Sequence, residues 1–285
     1  MLQDIAVIGA AGKMGSWFAR YFIQQQRSVS VYDIKRNVEF PKNVKVAADI
    51  RNCVSNADLV IICVSVNATP KLILECEKNM KPGAVIAEIS SVKHRVFPVL
   101  KHVRDDLRPL CIHPMFGPGA NQKNQAKVLL VPVRDKVTEQ KILGQIFESP
   151  IIKLLPDPAT HDRAIAILLG LTYFVNIAFA NIMSGANILL LKELSGTTFG
   201  LQSLLAESIL TDEPALIITL IKENPFAKKY IKEYLRTAMA IERLLSDKSN
   251  LTLESMLTKM VRDLEKHQDL LQSYKRLYEI IGNQK

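Results

Sequence analysis

The sequence lacks the features of metal-binding and disulfide-stabilised proteins. Its 285 residues include four cysteines, at positions 53, 63, 76 and 111, which form no CxxC pair and no metal-ligand spacing. Because Cys63 and Cys111 stand in apolar runs typical of buried strands, we expect reduced core cysteines, no metal and a cytoplasmic protein. The opening MLQDIAVIGAAGKMG has an acidic Asp4 and neither a basic region nor a cleavage site, so we expect no signal peptide.

Internal repeats and low-complexity tracts are also missing, and acidic residues are fewer than basic ones. There are 28 acidic residues against 37 lysines and arginines, which gives a net charge of +9. Nucleic-acid binding would explain this sign, but the basic residues are spread along the chain and alternate with acidic ones near its end, as on solvated helix faces. An anionic substrate or cofactor explains the charge equally well, and we expect no nucleic-acid partner.

One long stretch, from Ala164 to Leu191, has no charged residue at all. Its length would suffice to span a bilayer. However, it contains polar side chains that would be costly against lipid, at Thr172, Asn176, Asn181, Ser184 and Asn187. We therefore expect no membrane span, but a helix buried on all sides in a helical domain or a dimer core.

The first half of the chain alternates between apolar runs typical of strands and helical patterns, which predicts a parallel sheet covered by helices. The segment LPDPATHD, at residues 155–162, has the proline and aspartate signals of a linker. Beyond it, strand patterns vanish and apolar residues recur at helical spacing. We expect an α/β domain over residues 1–155 and an all-α domain over residues 156–285.

A glycine-rich turn lies between the first predicted strand and the first predicted helix. In IAVIGAAGKMGSWF the glycines are Gly9, Gly12 and Gly15, and the helix begins around Lys13 and Met14, which we expect to contact the cofactor. Gly12 would allow the backbone to approach a pyrophosphate, Gly15 would allow the helix to pack on the strand, and the helix N-terminus would attract the anion. The turn predicts a Rossmann domain that binds NAD or NADP.

The second predicted strand ends at Asp33, about twenty residues after the turn. A carboxylate at this place accepts hydrogen bonds from ribose hydroxyls and repels a 2′-phosphate, which favours NAD. Lys35 and Arg36 follow directly and would pair with that phosphate if the loop turned them inward, so NADP stays open.

Several polar residues follow apolar strands, where an open parallel sheet binds its ligands. They include Ser65, Ser91, Lys93 and His113, and we expect Ser65 to contact the cofactor. His113 has the chemistry to accept a proton from an alcohol as hydride leaves its carbon. Ser91 would orient the imidazole or cap a helix, and Lys93 would hold a substrate carboxylate or be solvated.

Four segments together resemble the prephenate/arogenate dehydrogenase family of tyrosine biosynthesis. They are IGAAGKMG, ISSVK, HPMFGPG and HDRAIAILLGLTYF, in the family's order and spacing. The resemblance implies that His113 binds the ring hydroxyl, Ser91 positions His113 and Lys93 helps to bind substrate. By the same resemblance, His161 would lie near the interdomain cleft and contact the substrate. It also implies a homodimer formed through C-terminal helices and an oxidative decarboxylation of prephenate to 4-hydroxyphenylpyruvate.

The chain departs from the family's pattern in one helix. Well-studied members have arginines before an acidic-proline pair, whereas the matching GTTFGLQSLLAESILTDEP contains none. If those arginines hold the ring carboxylate, a substitute must come from Lys93, Lys192, Arg163 or a partner subunit. Arogenate is the alternative substrate, and a noncatalytic NAD(P)-binding regulatory protein of the same fold is the alternative function.

Overall fold

The computed structural model describes residues 2–35, 40, 43–122, 124–246 and 250–282. The chain divides into two compact units, Met1–Ile165 and Ala166–Lys285. This division lies one short helix beyond the predicted boundary at residue 155.

The first unit is built on a sheet. Its strands are β1 (Asp4–Ile8), β2 (Ser28–Tyr32), β3 (Val44–Val46), β4 (Leu59–Ile62), β5 (Val85–Glu88), β6 (Arg108–Pro114), β7 (Lys127–Leu130) and β8 (Ile151–Leu154). They form an eight-stranded sheet in the order β3-β2-β1-β4-β5-β6-β7-β8. The strand order reverses beside β1, which places a ligand-binding crevice at the carboxyl ends of β1 and β4.

Strand direction differs from the prediction at one place. Neighbouring strands are parallel except β6 and β7, which pair antiparallel with His113 opposite Leu129. The predicted α/β class is confirmed, with this antiparallel pair and the strand β8 as features that the apolar pattern did not reveal.

Helices cover both faces of the sheet, which explains why its central strands are apolar on both sides. They are α1 (Lys13–Gln24), α2 (Ile50–Val54), α3 (Thr69–Glu77), α4 (Phe97–Lys101), α5 (Lys136–Ile146) and α6 (Pro158–Ile165). Phe18 and Phe22 of α1 fill the core on one face, and Ile73 of α3 and Leu100 of α4 belong to the core on the other. The four cysteines are free, as predicted, and Cys53, Cys76 and Cys111 are buried.

The segment predicted as a linker contains the start of α6. Asp157 caps this helix, because its carboxylate accepts hydrogen bonds from the backbone N–H (2.7 Å) and the hydroxyl (2.8 Å) of Thr160. The proline and aspartate signals therefore mark a helix start, and His161 and Asp162 belong to the first unit.

The described part of the second unit is helical throughout, as predicted. Its helices are α7 (Thr172–Ser184), α8 (Ile188–Glu193), α9 (Thr197–Leu210), α10 (Pro214–Ile218), α11 (Ala227–Leu245), α12 (Leu251–Glu265) and α13 (Leu270–Gly282). Wider π-helical turns occupy Ala166–Leu171 and Thr219–Glu223.

Polar residues of the uncharged stretch are bonded within the second unit. The Asn176 side chain donates to the carbonyl of Thr172 at 2.8 Å and accepts from the Gln202 amide at 2.7 Å. Among the described residues, one helix, Pro158–Ser184, is long and apolar enough to cross a membrane, and 22% of its most apolar window is buried. The helix is therefore not buried on all sides within the single chain, and its burial in a dimer core stays a prediction.

Candidate active site

The glycine turn has the shape that a dinucleotide requires. Gly9 has φ +83°, and a Cβ there would lie 2.6 Å from the carbonyl oxygen of Cys63 and 2.6 Å from the Val64 side chain. Its N–H donates to the carbonyl of Tyr32 at 2.9 Å, which ties the turn to the end of β2. Only glycine fits this position, because any side chain would strain the backbone and meet the end of β4.

Helix α1 begins directly at the turn. A Cβ on Gly15 would overlap the carbonyl oxygen of Gly9 and lie 2.8 Å from the Ala10 Cα, so glycine allows the helix to approach the strand. Gly12 precedes the helix with no side-chain cap, and the predicted contact residues Lys13 and Met14 form its first turn. An uncapped helix N-terminus beside a glycine turn fits a pyrophosphate.

Asp33 lies where a ribose would meet the turn. One carboxylate oxygen accepts the backbone N–H of Ala11, a residue of the turn, at 2.9 Å, and the other accepts the N–H of Lys35 at 2.9 Å. The half-buried carboxylate is thus held against the turn. Lys35 is exposed, whereas Arg36 lies outside the described residues.

Ser65 follows β4 on the same edge of the sheet. Its side chain is exposed, and its carbonyl accepts the N–H groups of Ala68 (3.0 Å) and Thr69 (3.1 Å) at the start of α3. Ser65 therefore lies at the carboxyl end of β4, where the sequence predicted it.

His113 ends β6 and is almost fully buried, with 5% of its surface exposed. Burial lowers the pKa of its imidazole well below the ordinary value of 6.5, and the neighbouring His161 and Lys93 lower it further. His113 is therefore neutral at physiological pH, the state in which imidazole accepts a proton.

The hydrogen-bond partner of His113 is another histidine. His113 Nδ1 lies 3.1 Å from His161 Nε2, and His161 Nδ1 lies 2.8 Å from Asp162 Oδ1. Both His161 and Asp162 are fully buried. The Nδ1 atom of His113 is thus bonded to His161, and the role of Ser91 in orienting His113 stays a prediction.

Asp162 is anchored to the loop after β5. Its Oδ1 accepts the backbone N–H of Lys93 at 2.8 Å, and its Oδ2 accepts the backbone N–H of His94 at 2.9 Å. His161 is hydrogen-bonded on both ring nitrogens and has no exposed surface, so the interpretation of His161 as a substrate contact is wrong in this structure.

Lys93 does not face a substrate either. Its ammonium group is completely buried and lies 2.6 Å from Glu88 Oε1 and 2.6 Å from the carbonyl oxygen of Ile112. The same glutamate accepts the thiol of Cys111 at 3.0 Å and the N–H of Ser90 at 2.8 Å. The predicted role in holding a substrate carboxylate is wrong, because the charge of Lys93 is already matched inside the protein.

Sequence reasoning missed Glu88 and Asp162. Glu88 ends the otherwise apolar run AVIAE, and a carboxylate in a buried strand needs a partner charge, which was a usable signal. Asp162 adjoins His161 in the sequence, but their contact with His113 joins positions 48 residues apart and had no local signal.

Comparison with protein families covers both units. The family model described as the prephenate dehydrogenase nucleotide-binding domain matches residues 18–148. The model described as the prephenate dehydrogenase dimerization domain matches residues 157–262. Together they cover most of the chain.

Individual relatives give the same result as the family models. A probable arogenate/prephenate dehydrogenase of Methanocaldococcus jannaschii is 24% identical over 275 residues, which are 92% of this chain and 60% of that protein. The T-protein of Haemophilus influenzae is 28% identical over 62% of this chain and 44% of its own length. The chain thus spans less than two thirds of either relative.

A crystal structure of prephenate dehydrogenase from A. aeolicus, in complex with hydroxyphenyl propionate and NAD+, has the same fold. It superposes with a TM-score of 0.72 at 16% identity, over 94% of this chain and 99% of that one. These matches confirm the resemblance that the four sequence segments indicated and the nucleotide-binding nature of the first domain. The chain belongs to the prephenate dehydrogenase family.

Proposed function

We propose that the protein is a nicotinamide-dependent dehydrogenase that converts prephenate to 4-hydroxyphenylpyruvate, with His113 as the general base. The observation that carries the proposal is a buried, neutral imidazole at the carboxyl end of β6, on the sheet edge to which the glycine turn also belongs. A proton acceptor and a dinucleotide cradle on one edge suit hydride transfer from an alcohol.

The proposed reaction removes a hydride and carbon dioxide from the substrate, and the hydroxyl proton is taken up and then returned. A nicotinamide, when bound, supplies the acceptor for the hydride of the ring carbon that carries the hydroxyl. His113 takes the hydroxyl proton as the hydride leaves. The electrons of the broken carbon–carboxylate bond then enter the ring, which becomes aromatic, and the ring oxygen regains the proton from His113 to form the phenol. Because aromatisation drives the reaction, the protein contributes mainly positioning and proton transfer.

NAD is the proposed cofactor. The Asp33 carboxylate, held by the N–H of Ala11 at 2.9 Å, supports this choice because a negative charge there repels a 2′-phosphate. The complex of the A. aeolicus enzyme with NAD+ is consistent with it.

The anionic groups of the substrate need a cation other than Lys93. Of the candidates within the chain, Lys192 is exposed and pairs with Glu207 at 2.8 Å, and Arg163 is an exposed residue of α6. A partner subunit is the remaining source, and we propose a homodimer formed by the second unit. Its match to a dimerization domain and its exposed apolar side chains, such as Ile182, Leu189 and Leu194, support this proposal.

The test measures formation of reduced nicotinamide by absorbance. Prephenate and arogenate are each supplied with NAD and with NADP to the wild-type protein, to His113→Asn and to His102→Asn. His102 is an exposed histidine at the end of α4, which makes it a matched control. We expect His113→Asn to lower kcat by about 10²- to 10⁴-fold, the usual contribution of a general base, and His102→Asn to leave it unchanged.

Three outcomes would contradict the proposal in whole or in part. Equal rates for wild type and His113→Asn would remove His113 from the reaction. Calorimetric binding of NAD without turnover of either substrate would instead favour the noncatalytic NAD(P)-binding protein. Turnover of arogenate alone would correct the substrate.

A further inference from the structure

His161 and Asp162 are buried polar residues that the proposed chemistry does not yet use. We infer that they form a relay that fixes the tautomer of His113, with a proton on Nδ1 and a bare Nε2 that accepts the substrate proton. The inference rests on the proposed function and deepens it, since it assigns positioning roles to two residues that do not touch the substrate.

The direction of the hydrogen bonds in the relay follows from Asp162, which can only accept. Backbone N–H groups only donate, so the N–H groups of Lys93 and His94 make both oxygens of Asp162 acceptors, at 2.8 and 2.9 Å. A carboxylate has no proton to give, and His161 Nδ1, at 2.8 Å from Oδ1, must therefore be the donor.

The proton position on His161 determines the proton position on His113. A neutral imidazole with its proton on Nδ1 has a lone pair on Nε2. Burial lowers the pKa of His161 below its ordinary value, which favours this neutral form. His161 Nε2 then accepts from His113 Nδ1 across 3.1 Å, and the second nitrogen of His113 is left without a proton.

The anchoring of Asp162 explains why the relay is rigid. Its two oxygens are held by consecutive backbone groups of the loop after β5, and its neighbour His161 lies in the first turns of α6. All three side chains are buried, so competing hydrogen bonds from water are removed. The same logic orients a catalytic histidine through a buried aspartate in unrelated hydrolases.

The first experiment reads the tautomers directly in the full-length wild-type protein. Labelling the five histidines with nitrogen-15 allows the protonated nitrogen of each ring to be identified by long-range proton–nitrogen NMR. We expect Nδ1–H on both His113 and His161. A proton on Nε2 of His113 would overturn the relay. This measurement needs no turnover, so it remains decisive if the proposed reaction proves wrong.

The second experiment compares His161→Leu with His161→Gln. Leucine has a similar volume and no hydrogen-bonding group, whereas glutamine retains a carbonyl that can accept from His113. We expect His161→Leu to lower kcat about 100-fold with little change in KM and to move the proton of His113 to Nε2. His161→Gln should recover kcat to within about 10-fold of wild type and restore the Nδ1–H signal.

A merely structural role of His161 predicts a different pattern. Both variants would then lose activity in proportion to their loss of folded protein, and glutamine would offer no advantage over leucine. His102→Leu, at the exposed end of α4, serves as the matched control and should keep wild-type kcat. Unchanged kcat in His161→Leu, or no recovery in His161→Gln, would overturn the inference.

Discussion

Replacing Lys93 by methionine tests whether the buried ion pair holds the first unit together. Lys93 and Glu88 have no exposed side-chain surface and are 2.6 Å apart. Methionine retains most of the aliphatic volume of lysine but removes the charge. The substitution therefore leaves the Glu88 carboxylate with the thiol of Cys111 and one backbone N–H as its remaining donors.

The expected loss of unfolding free energy is about 4 kcal/mol. Breaking one side of a buried ion pair costs about 3–5 kcal/mol, because a charge stays buried without its partner. The protein can escape by protonating the carboxylate, and neutralising an ordinary glutamate at pH 7 also costs about 4 kcal/mol. The unpaired charge and its protonation therefore cost a similar amount of unfolding free energy, and protonation sets an upper limit on the loss.

The double variant Lys93→Met with Glu88→Gln should be more stable than Lys93→Met alone. Glutamine has no charge to bury and still offers an oxygen to the N–H of Ser90. What remains is the carbonyl of Ile112 without its donor, which costs about 1–3 kcal/mol. Adding Glu88→Gln to Lys93→Met should thus restore about 1–3 kcal/mol of unfolding free energy. A simple loss of packing would instead make the double variant less stable than Lys93→Met.

Urea unfolding followed by tryptophan fluorescence measures these values. The chain has one tryptophan, Trp17, which is buried in the first unit and donates to the carbonyl of Ala120 at 3.0 Å. Its emission therefore reports the unit that contains the ion pair. Lys81→Met is the control, since Lys81 pairs with Asp58 at 2.7 Å near the surface and should contribute at most about 1 kcal/mol.

A loss below about 1 kcal/mol in Lys93→Met would refute the reasoning, because it would mean that Glu88 is readily solvated or neutralised. A double variant that is less stable than Lys93→Met would refute it as well. The cost would then lie in lost packing or hydrogen bonds and not in an unpaired charge.

Two further predictions concern acid stability and the glycine turn. Burial lowers the pKa of His113 and His161 below 6.5, so the unfolded chain binds more protons than the folded one as pH falls below 6.5. The fold should then lose up to about 1.4 kcal/mol of stability per pH unit for each histidine. Urea unfolding at pH 7.5 and 5.5 should show a smaller loss of stability in His113→Gln than in the wild type, and an equal loss would contradict this. Gly15→Ala drives a Cβ into backbone atoms of the turn and should weaken NAD binding at least about 10-fold by calorimetry, at a cost of about 1–3 kcal/mol. Gly144→Ala in α5, where a Cβ meets nothing within 4 Å, should bind NAD normally, and equal binding by both variants would refute the steric argument.

Local patterns predicted the cofactor half of the site because its determinants are close in sequence. The turn at Gly9 to Gly15 and the carboxylate of Asp33 belong to one βαβ unit, in which a strand, a turn and a helix fix each other's positions. The position of His113 was predictable for a similar reason, since the end of an apolar run in a parallel sheet marks the binding edge.

The environment of His113 was not predictable, because it depends on contacts between distant segments. Ser91 and Lys93 follow β5, and both were assigned to the crevice from their place in the chain. The loop instead turns the ammonium of Lys93 into the core, where Glu88 and the carbonyl of Ile112 hold it. The ion pair with a buried carboxylate compensates for the loss of hydration of the ammonium group. This compensation depends on the folded path of the loop, so no local pattern predicts it.

Lys93 connects the two parts that hold the base. Its ammonium group binds the carbonyl of Ile112, the residue before His113, and its backbone N–H binds Asp162, the end of the inferred relay. One residue thus fixes both the strand end that carries the imidazole and the carboxylate that sets its tautomer. Because neither contact reaches a substrate, a substitution of Lys93 should act on kcat through the geometry of His113. In the proposed reaction, the cation for the substrate carboxylates would then come from Arg163, Lys192 or a partner subunit.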